Sequence, residues 1–473
     1  MSERTLLGGT DGFRGPVALE NPAMGHQNEL THYWLTAALV SLQQEAGQEG
    51  PVVVLRDTRP SGYRLAQANI RAALDQGAEV ESLNIAATPV GQKVAELSGA
   101  IATVAVTASH NPVGDNGWKG MLGSHKPGKD WVQKISDRAW DMYDERKSEL
   151  PAFPITEPYV DLNELNHKRQ YQEMLVGRIE STFGGRPLDG KTIVYDGANG
   201  AGTPMTPDVL ETLGATVHRI NCGDGIINDR CGATHLGSLK DYIAAHPLLL
   251  DDPNFLGGVA NDGDADRLMA VGVIKRGSEV ELVDINGNHA MYQLAQGQPG
   301  IVGTLYTNTG LRDKLREQAI EFEECDNGDK YVTQALQNRA DEGWSRGGEF
   351  TGHLIDMSWL NSGDGVAMAA WLSASVARQD STFGELCNNV PLWHESMSSI
   401  KLADGMIIPS IDPRLAEAQD WAVEQMAGEG RAIIRPSGTE PVVRVWLESP
   451  HKAFSAKVGE ALRFKLQQEL LSA

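Results

Sequence analysis

The chain has 473 residues, 41 % of them hydrophobic and 22 % charged, the proportions of a soluble globular protein with length for about three cores. Its formal net charge of −22 excludes it as a natural partner for nucleic acid or an anionic membrane surface, and no apolar run approaches the ~20 residues that span a bilayer. Cys222, Cys231, Cys325 and Cys387 lack Cys-x-x-Cys spacing and no apolar leader follows Met1, so neither a disulfide framework nor structural zinc is expected and a reducing cytoplasm is the expected setting. A small anionic ligand stays compatible with this charge if basic residues gather at its site.

Gly8-Gly9-Thr10-Asp11-Gly12-Phe13-Arg14-Gly15 is a glycine-rich stretch with one arginine, expected to turn. Pro51 to Leu55 suits a buried strand; Ser61 is placed to cap a helix with Leu65, Ile70 and Leu74 inward, stopped by Gly77. A strand over 80–85, a helix from about Pro89 and a strand over 101–106 complete the pattern of a doubly wound, mainly parallel sheet. The last strand delivers Thr107-Ala108-Ser109-His110-Asn111-Pro112 to its C-terminal end, where ligands bind in open α/β sheets. Alone, a serine beside a histidine is a weak signal. Asn116-Gly117 predicts a turn that folds Lys119 back toward this strand end, as a candidate for proton transfer near Ser109.

The proline-rich stretch 151–158 reads as the approach to a domain boundary, and a helical run from His167 to about Ser181 opens the next unit. Gly185-Arg186-Pro187-Leu188-Asp189-Gly190-Lys191-Thr192 matches the Walker A pattern, but a phosphate-binding loop follows a strand and opens a helix. Here a helix precedes and the strand 192–195 follows, so ATP binding is rejected. The turn 196–202 leads to a helix from about Pro207 to Leu213 and lacks the dinucleotide-binding glycine spacing.

After the buried run Leu256 to Ala260 comes Asp262-Gly263-Asp264-Ala265-Asp266-Arg267. Three carboxylates at alternate positions crowd hard oxygen donors together, and their repulsion calls for a cation, for which Mg²⁺ is the usual occupant. An EF-hand is excluded, since Arg267 and Val273 stand where glycine and glutamate are required. A third α/β unit follows, with strands over 301–305 and 321–324, helices over 311–319 and 331–338, and Gly347-Gly348-Glu349-Phe350-Thr351-Gly352-His353 at the end of another strand. Glu349, Thr351 and His353 present polar atoms suited to a polyhydroxylated substrate. From Trp393 the pattern changes: helices near 415–426 and 454–470 flank strands over 432–434 and 442–447. Between those strands Arg435-Pro436-Ser437-Gly438-Thr439-Glu440-Pro441 has the makings of a phosphate clamp, with Arg444 nearby.

With these four loops in order, at Ser109, Asp262–Arg267, Gly348–His353 and Arg435–Pro441, the chain resembles the α-D-phosphohexomutase superfamily along essentially its whole length. Within it the bacterial phosphoglucosamine mutases are the most similar, through Asn228–His235, Gly303–Leu311, Gly328–Val332 and Ser362-Gly363-Asp364-Gly365. Ala265 stands where that family usually has glycine, Thr351 where it has serine and Lys330 where arginine is commoner. The resemblance implies three doubly wound α/β domains, 1–160, 161–267 and 268–388, and a C-terminal α+β domain, 389–473, around a central cleft.

It also implies a reaction. Ser109 would carry a phosphoryl group, pass it to a hexose or hexosamine phosphate, and recover the other phosphate of the resulting bisphosphosugar, which also serves as activator. Ser109, Asp262, Asp264 and Asp266 would hold Mg²⁺. Lys119, His110, Arg14 and Arg267 would move protons and offset charge, Lys330, Glu349, Thr351 and His353 would bind the sugar, and Arg435, Ser437, Gly438, Thr439 and Arg444 the idle phosphate. The expected protein is a monomer or homodimer. Glucosamine 6-phosphate is the expected substrate, with glucose or mannose phosphates as the rivals within the class. A metal-dependent sugar phosphatase is the rival from another class, although the Asp-x-Asp-x-Thr nucleophile pattern is absent at Asp262 to Asp266.

Overall fold

Short aliphatic runs such as Val52-Val53-Val54-Leu55 and Ala102-Thr103-Val104-Ala105-Val106 form strands covered on both faces, as parallel strands must be. The computed structural model describes residues 4–9, 11–20, 23–146, 152–156, 159–402, 408–409, 411–437 and 441–471. Its first α/β unit comprises β1 (Phe13–Pro16), α1 (Glu29–Glu45), β2 (Val52–Arg56), α2 (Gly62–Asp75), β3 (Val80–Ile85), α3 (Thr88–Ser98), β4 (Ala102–Val106), β5 (Asp115–Leu122) and α4 (Lys129–Arg146). The sheet runs β1-β5-β4-β2-β3, with β2 parallel to β3 and β4, and β5 antiparallel to β4 and β1. Helices α1, α2 and α4 share a core with Val52, Val54 and Val104 on one face, while α3 lies on the other, where Gly91 admits Leu55.

The second unit holds α5 (Glu164–Phe183), β6 (Thr192–Asp196), α6 (Met205–Thr212), β7 (Thr216–Ile220), α7 (Gly237–Ala244), α8 (Pro247–Asp251), β8 (Phe255–Ala260), β9 (Met269–Arg276) and β10 (Glu279–Ile285). The third holds α9 (Gly287–Ala295), β11 (Gly300–Thr304), α10 (Thr309–Glu317), β12 (Glu321–Cys325), α11 (Asp329–Asn338), β13 (Arg346–Gly348), β14 (Leu354–Asp356), α12 (Gly365–Arg378) and α13 (Phe383–Asn389). Their sheets, β10-β9-β8-β6-β7 and β12-β11-β13-β14, repeat the first pattern. In each, one strand pairs parallel with its two neighbours, and the second neighbour continues through a loop into an antiparallel strand. The loops that carry Ser109 (the serine loop), the three aspartates Asp262, Asp264 and Asp266 (called the metal loop for its candidate ligands) and Glu349 to His353 are therefore one loop in three copies, linking β4 to β5, β8 to β9 and β13 to β14.

A C-terminal three-stranded antiparallel sheet, β15-β17-β16, comprises β15 (His394–Lys401), β16 (Arg431–Pro436) and β17 (Val442–Ser449), packed with α14 (Pro413–Gln425) and α15 (Lys452–Leu471). Two compact units result: Met1–Tyr306 with Glu321–Asn389, and Thr307–Ile320 with Val390–Ala473. Helix α10, although it lies between β11 and β12 in the chain, belongs with the C-terminal compact unit. Its Thr309 donates to the buried Glu448 of β17, and its Gly310 leaves no room for a Cβ against the Pro391 carbonyl.

Several local expectations change. Asn116-Gly117 is no turn: it lies inside β5, because a glycine there lets the strand pass the Thr107 carbonyl, which a Cβ would meet at 2.5 Å. The reversal falls in the serine loop instead, and Lys119 returns opposite Ala105 of β4. Ser61 does not cap α2 with its side chain but accepts a hydrogen bond from Asn116 Nδ2, and Leu74 is largely exposed. A division at 267/268 would cut β9 and β10 from the second sheet, so we place that boundary near Ile285. The sheets are mixed, each carrying antiparallel strands beside its parallel part. The Walker-like stretch does join helix α5 to strand β6.

Candidate active site

Ser109 is buried and adopts a left-handed backbone, φ 52°, which non-glycine residues avoid without outside support. Its Oγ donates to Asp262 Oδ2 at 2.8 Å and lies 3.4 Å from His110 Nδ1. The metal loop approaches so closely that a Cβ on Gly263 would stand 2.7 Å from both the Ser109 carbonyl and Asn228 Nδ2. Glycine is the residue that permits this contact.

Asp262, Asp264 and Asp266 each place a carboxylate oxygen within 4.8 Å of the others, and all three are buried. Lys119 Nζ donates to Asp264 Oδ2 at 2.6 Å and to Asp266 Oδ2 at 3.3 Å, while Thr88 Oγ1 adds a bond to Asp264 Oδ2 at 2.7 Å. Burial and the charges of Asp266 and Asp264 push Asp262 up to about 7, well above the usual carboxylate range. Burial acts on Asp264 and Asp266 in the same sense, and the Asp266 charge adds to it at Asp264. The charge and hydrogen bond of Lys119 with the Thr88 hydrogen bond together hold Asp264 below the usual range, and Lys119, His353 and Lys126 together hold Asp266 well below it, so these two stay ionised. A small hard cation fits this donor set: Asp264 Oδ1 is buried and meets no hydrogen-bond donor among the described residues.

The third loop joins the second. His353 Nε2 lies 3.1 Å from Asp266 Oδ1, and its Nδ1 lies 2.7 Å from Glu349 Oε2. Burial disfavours the His353 imidazolium, but Asp266 outweighs it and raises the ring to about 10, so it is held protonated. Glu349 Oε1 accepts the Gly328 amide at 2.9 Å, next to the half-buried Lys330, whose Nζ sits 4.9 Å from the Tyr331 ring centre. Arg267 Nε lies 3.9 Å from Asp262 Oδ2 and 3.4 Å from His353 Nε2. Thr351 is partly exposed in the turn between Glu349 and His353. Arg14, on β1, donates to the Asp11 carbonyl at 2.9 Å. Burial, with Arg267 and Arg14 adding to it, lowers His110 to about 4 and leaves a neutral imidazole.

Arg435 and Arg444 are exposed and stand directly opposite each other across β16 and β17, and the Ser437 amide donates to the Val442 carbonyl at 2.8 Å. Gly438 and Thr439 lie outside the described residues. Sequence reasoning missed Asp57, Arg59, Thr88 and Asn228. Asp57 and Arg59 follow β2 directly, so their signal was charge at the C-terminal end of a central strand.

The sequence and the fold are similar to those of known proteins. Residues 5–143 match the model for phosphoglucomutase/phosphomannomutase alpha/beta/alpha domain I, 285–392 that for domain III and 399–463 that for the C-terminal domain. The phosphoglucosamine mutase of Leptothrix cholodnii is 33 % identical over 97 % of this chain and 98 % of its own. Among solved structures, a phosphoglucomutase/phosphomannomutase family protein from Burkholderia thailandensis superimposes with a TM-score of 0.73 at 22 % identity, covering 99 % of this chain and 98 % of that one. The Aspergillus fumigatus N-acetylphosphoglucosamine mutase, solved with GlcNAc-6P and magnesium, gives 0.61 at 17 % identity over 98 % and 95 %. The chain belongs to the phosphoglucomutase/phosphomannomutase family.

Proposed function

We propose that this enzyme is a phosphoglucosamine mutase, interconverting glucosamine 6-phosphate and glucosamine 1-phosphate through a phosphorylated Ser109 and a bisphosphosugar. The meeting of the serine and metal loops carries the reading: the Ser109 hydroxyl is bonded to one carboxylate of a buried trio. The relatedness to phosphoglucosamine mutases supports the sugar.

Phosphorylated Ser109 gives its phosphoryl group to the free hydroxyl of the sugar phosphate. The Oγ–P bond breaks as the sugar oxygen bonds to phosphorus, and the hydroxyl proton leaves. His110, a neutral imidazole 3.4 Å from the Ser109 Oγ, is the candidate acceptor for it, and Lys119, whose Nζ donates to Asp264 and Asp266, is the candidate donor of a proton to the departing Ser109 oxygen. The bisphosphosugar then turns and returns its other phosphate to Ser109. Asp262, Asp264 and Asp266, with the phosphate on Ser109, would hold Mg²⁺, which supplies neutralisation of charge on the transferred group. Arg267 and Arg14 add fixed positive charge; Lys330, Glu349, Thr351 and His353 read the sugar. Arg435, Ser437, Gly438, Thr439 and Arg444 hold the idle phosphate, supported by the facing arginines. Four free thiols agree with a cytoplasmic setting.

The test is intact-protein mass spectrometry after incubation with glucose 1,6-bisphosphate and Mg²⁺. One phosphate is expected on Ser109 and none on Ser109→Ala, and glucosamine 6-phosphate is expected to give a higher kcat/KM than glucose or mannose 6-phosphate. A phosphate mapped elsewhere, or steady release of free phosphate, would overturn the mechanism; preference for a hexose phosphate would overturn the substrate.

A further inference from the structure

Arg59 lies just beyond β2, and none of its side chain reaches solvent. A guanidinium carries five N–H donors and stays charged at any working pH. All five are used. Nε donates to Asp57 Oδ2 at 2.9 Å, Nη1 to the carbonyls of Pro112 and Asp115, and Nη2 to those of Ser109 and Asn111 at 3.0 and 2.7 Å. Three carbonyls of the serine loop and that of Asp115, the first residue of β5, thus converge on one buried cation.

Asp57 balances that charge and ties in the start of the loop. It accepts from Thr107 Oγ1 at 2.6 Å, and Thr107 Oγ1 accepts from the Ser109 amide at 2.8 Å. The Ser109 carbonyl takes a second donor, Asn228 Nδ2, at 2.8 Å. Because a peptide unit is planar and trans, drawing the Ser109 carbonyl toward Arg59 turns the His110 amide N–H the other way. Both peptide groups flanking the Cα of Ser109 are therefore fixed, and with them its left-handed φ of 52° and the direction of its Oγ toward Asp262.

We propose that Arg59 is a positioning residue for phosphoryl transfer: its guanidinium fixes the backbone from which Ser109 presents its oxygen. The inference rests on the reading of Ser109 as the phosphate carrier. A planar fork is required, because a lysine ammonium has three donors and cannot span four carbonyls and a carboxylate. Arg59 touches neither the Ser109 hydroxyl nor the carboxylate trio, so it acts through the loop alone.

Arg59→Lys tests this while keeping the charge beside Asp57. A displacement of about 1 Å at a reacting atom costs roughly 100-fold in rate, so kcat with glucosamine 6-phosphate is expected to fall about 100-fold. KM is expected to stay within about threefold, since sugar binding is untouched. Single-turnover transfer of phosphate from glucose 1,6-bisphosphate to Ser109 should slow by the factor seen in kcat. A lower melting temperature with an unchanged kcat per folded molecule would mean a merely structural arginine and would overturn the proposal. Should Arg59→Lys fail to fold, Asn228→Ala decides: it removes one donor from the Ser109 carbonyl, with an expected kcat loss of about tenfold, and no loss overturns the proposal. Wild-type protein that takes up no phosphate on Ser109 would instead sink the mutase reading.

Discussion

Ser109 follows β4 and Asp262 follows β8, each where a parallel strand turns into an antiparallel one, yet the two loops are held by opposite means. Around Ser109 the protein satisfies its own groups: five guanidinium donors meet five acceptors, and the serine carbonyl has two partners. Around Asp262 it leaves a deficit. Three buried carboxylates crowd together, one of them raised toward neutrality, and Asp264 Oδ1 lacks a donor among the described residues. The serine loop is built to be rigid without a ligand, whereas the metal loop is built to be completed by one. One topology serves both because the strand ends fix where a loop sits, while side chains decide what it needs.

Ser109→Ala should abolish that contrast on its functional side: kcat is expected to fall by at least roughly 1000-fold in a coupled assay with glucosamine 6-phosphate. Asp264→Asn strikes the other loop, and kcat should drop roughly 100- to 1000-fold. Thermal denaturation separates the two further. Mg²⁺ at 100 times its Kd should stabilise wild-type protein by about 2.7 kcal/mol. Ser109→Ala should keep most of that gain and Asp264→Asn should lose it; equal behaviour of the two variants would erase the distinction between the loops. Gly263→Ala presses the loops together, and its Cβ contacts at 2.7 Å should cost about 1–3 kcal/mol in urea unfolding.

The last effect is confined to acid pH and concerns the neutral network behind the serine sheet. His32 lies 2.9 Å from Gln27 Oε1 and 3.2 Å from Asn69 Nδ2, and Thr36 links Asn69 to Trp118 Nε1. Burial lowers His32 to about 3, against an Asn69 hydrogen bond that acts the other way. The unfolded chain takes up this proton near pH 6.5 and the folded chain only near pH 3. The contribution is therefore complete above about pH 6.5 and is lost as pH falls toward 3, by at most about 1.4 kcal/mol per pH unit. His32→Gln should flatten the acid limb of a melting-temperature profile; an unchanged slope would refute the assignment.

Much of this site was legible because a buried aliphatic run followed by small and polar residues is a local signal, as at Val104–Val106 before Ser109 and Val259–Ala260 before Asp262. Helix α1 was not: it is buried on nearly every side, with Thr31, His32 and Thr36 inside, so it shows no apolar stripe. Asn116-Gly117 misled because the turn preference of that pair yields to a strand when its neighbours require close passage. The boundary we propose near Ile285 differs from 267/268 because only pairing joins β9 and β10 to the second sheet, and pairing partners are not marked in the local sequence.

By itself the sequence located the buried strands that run into the loops and the order of those loops, since these follow from patterns a few residues long. Only the tertiary structure decided that Ser109 meets Asp262, that Lys119 closes on Asp264 and Asp266, and that Asp262 is the carboxylate pushed toward neutrality, because charge interactions depend on distances between residues far apart in the chain. It alone showed what Arg59 holds. Every residue has a carbonyl, so no sequence pattern marks the four that converge on one guanidinium.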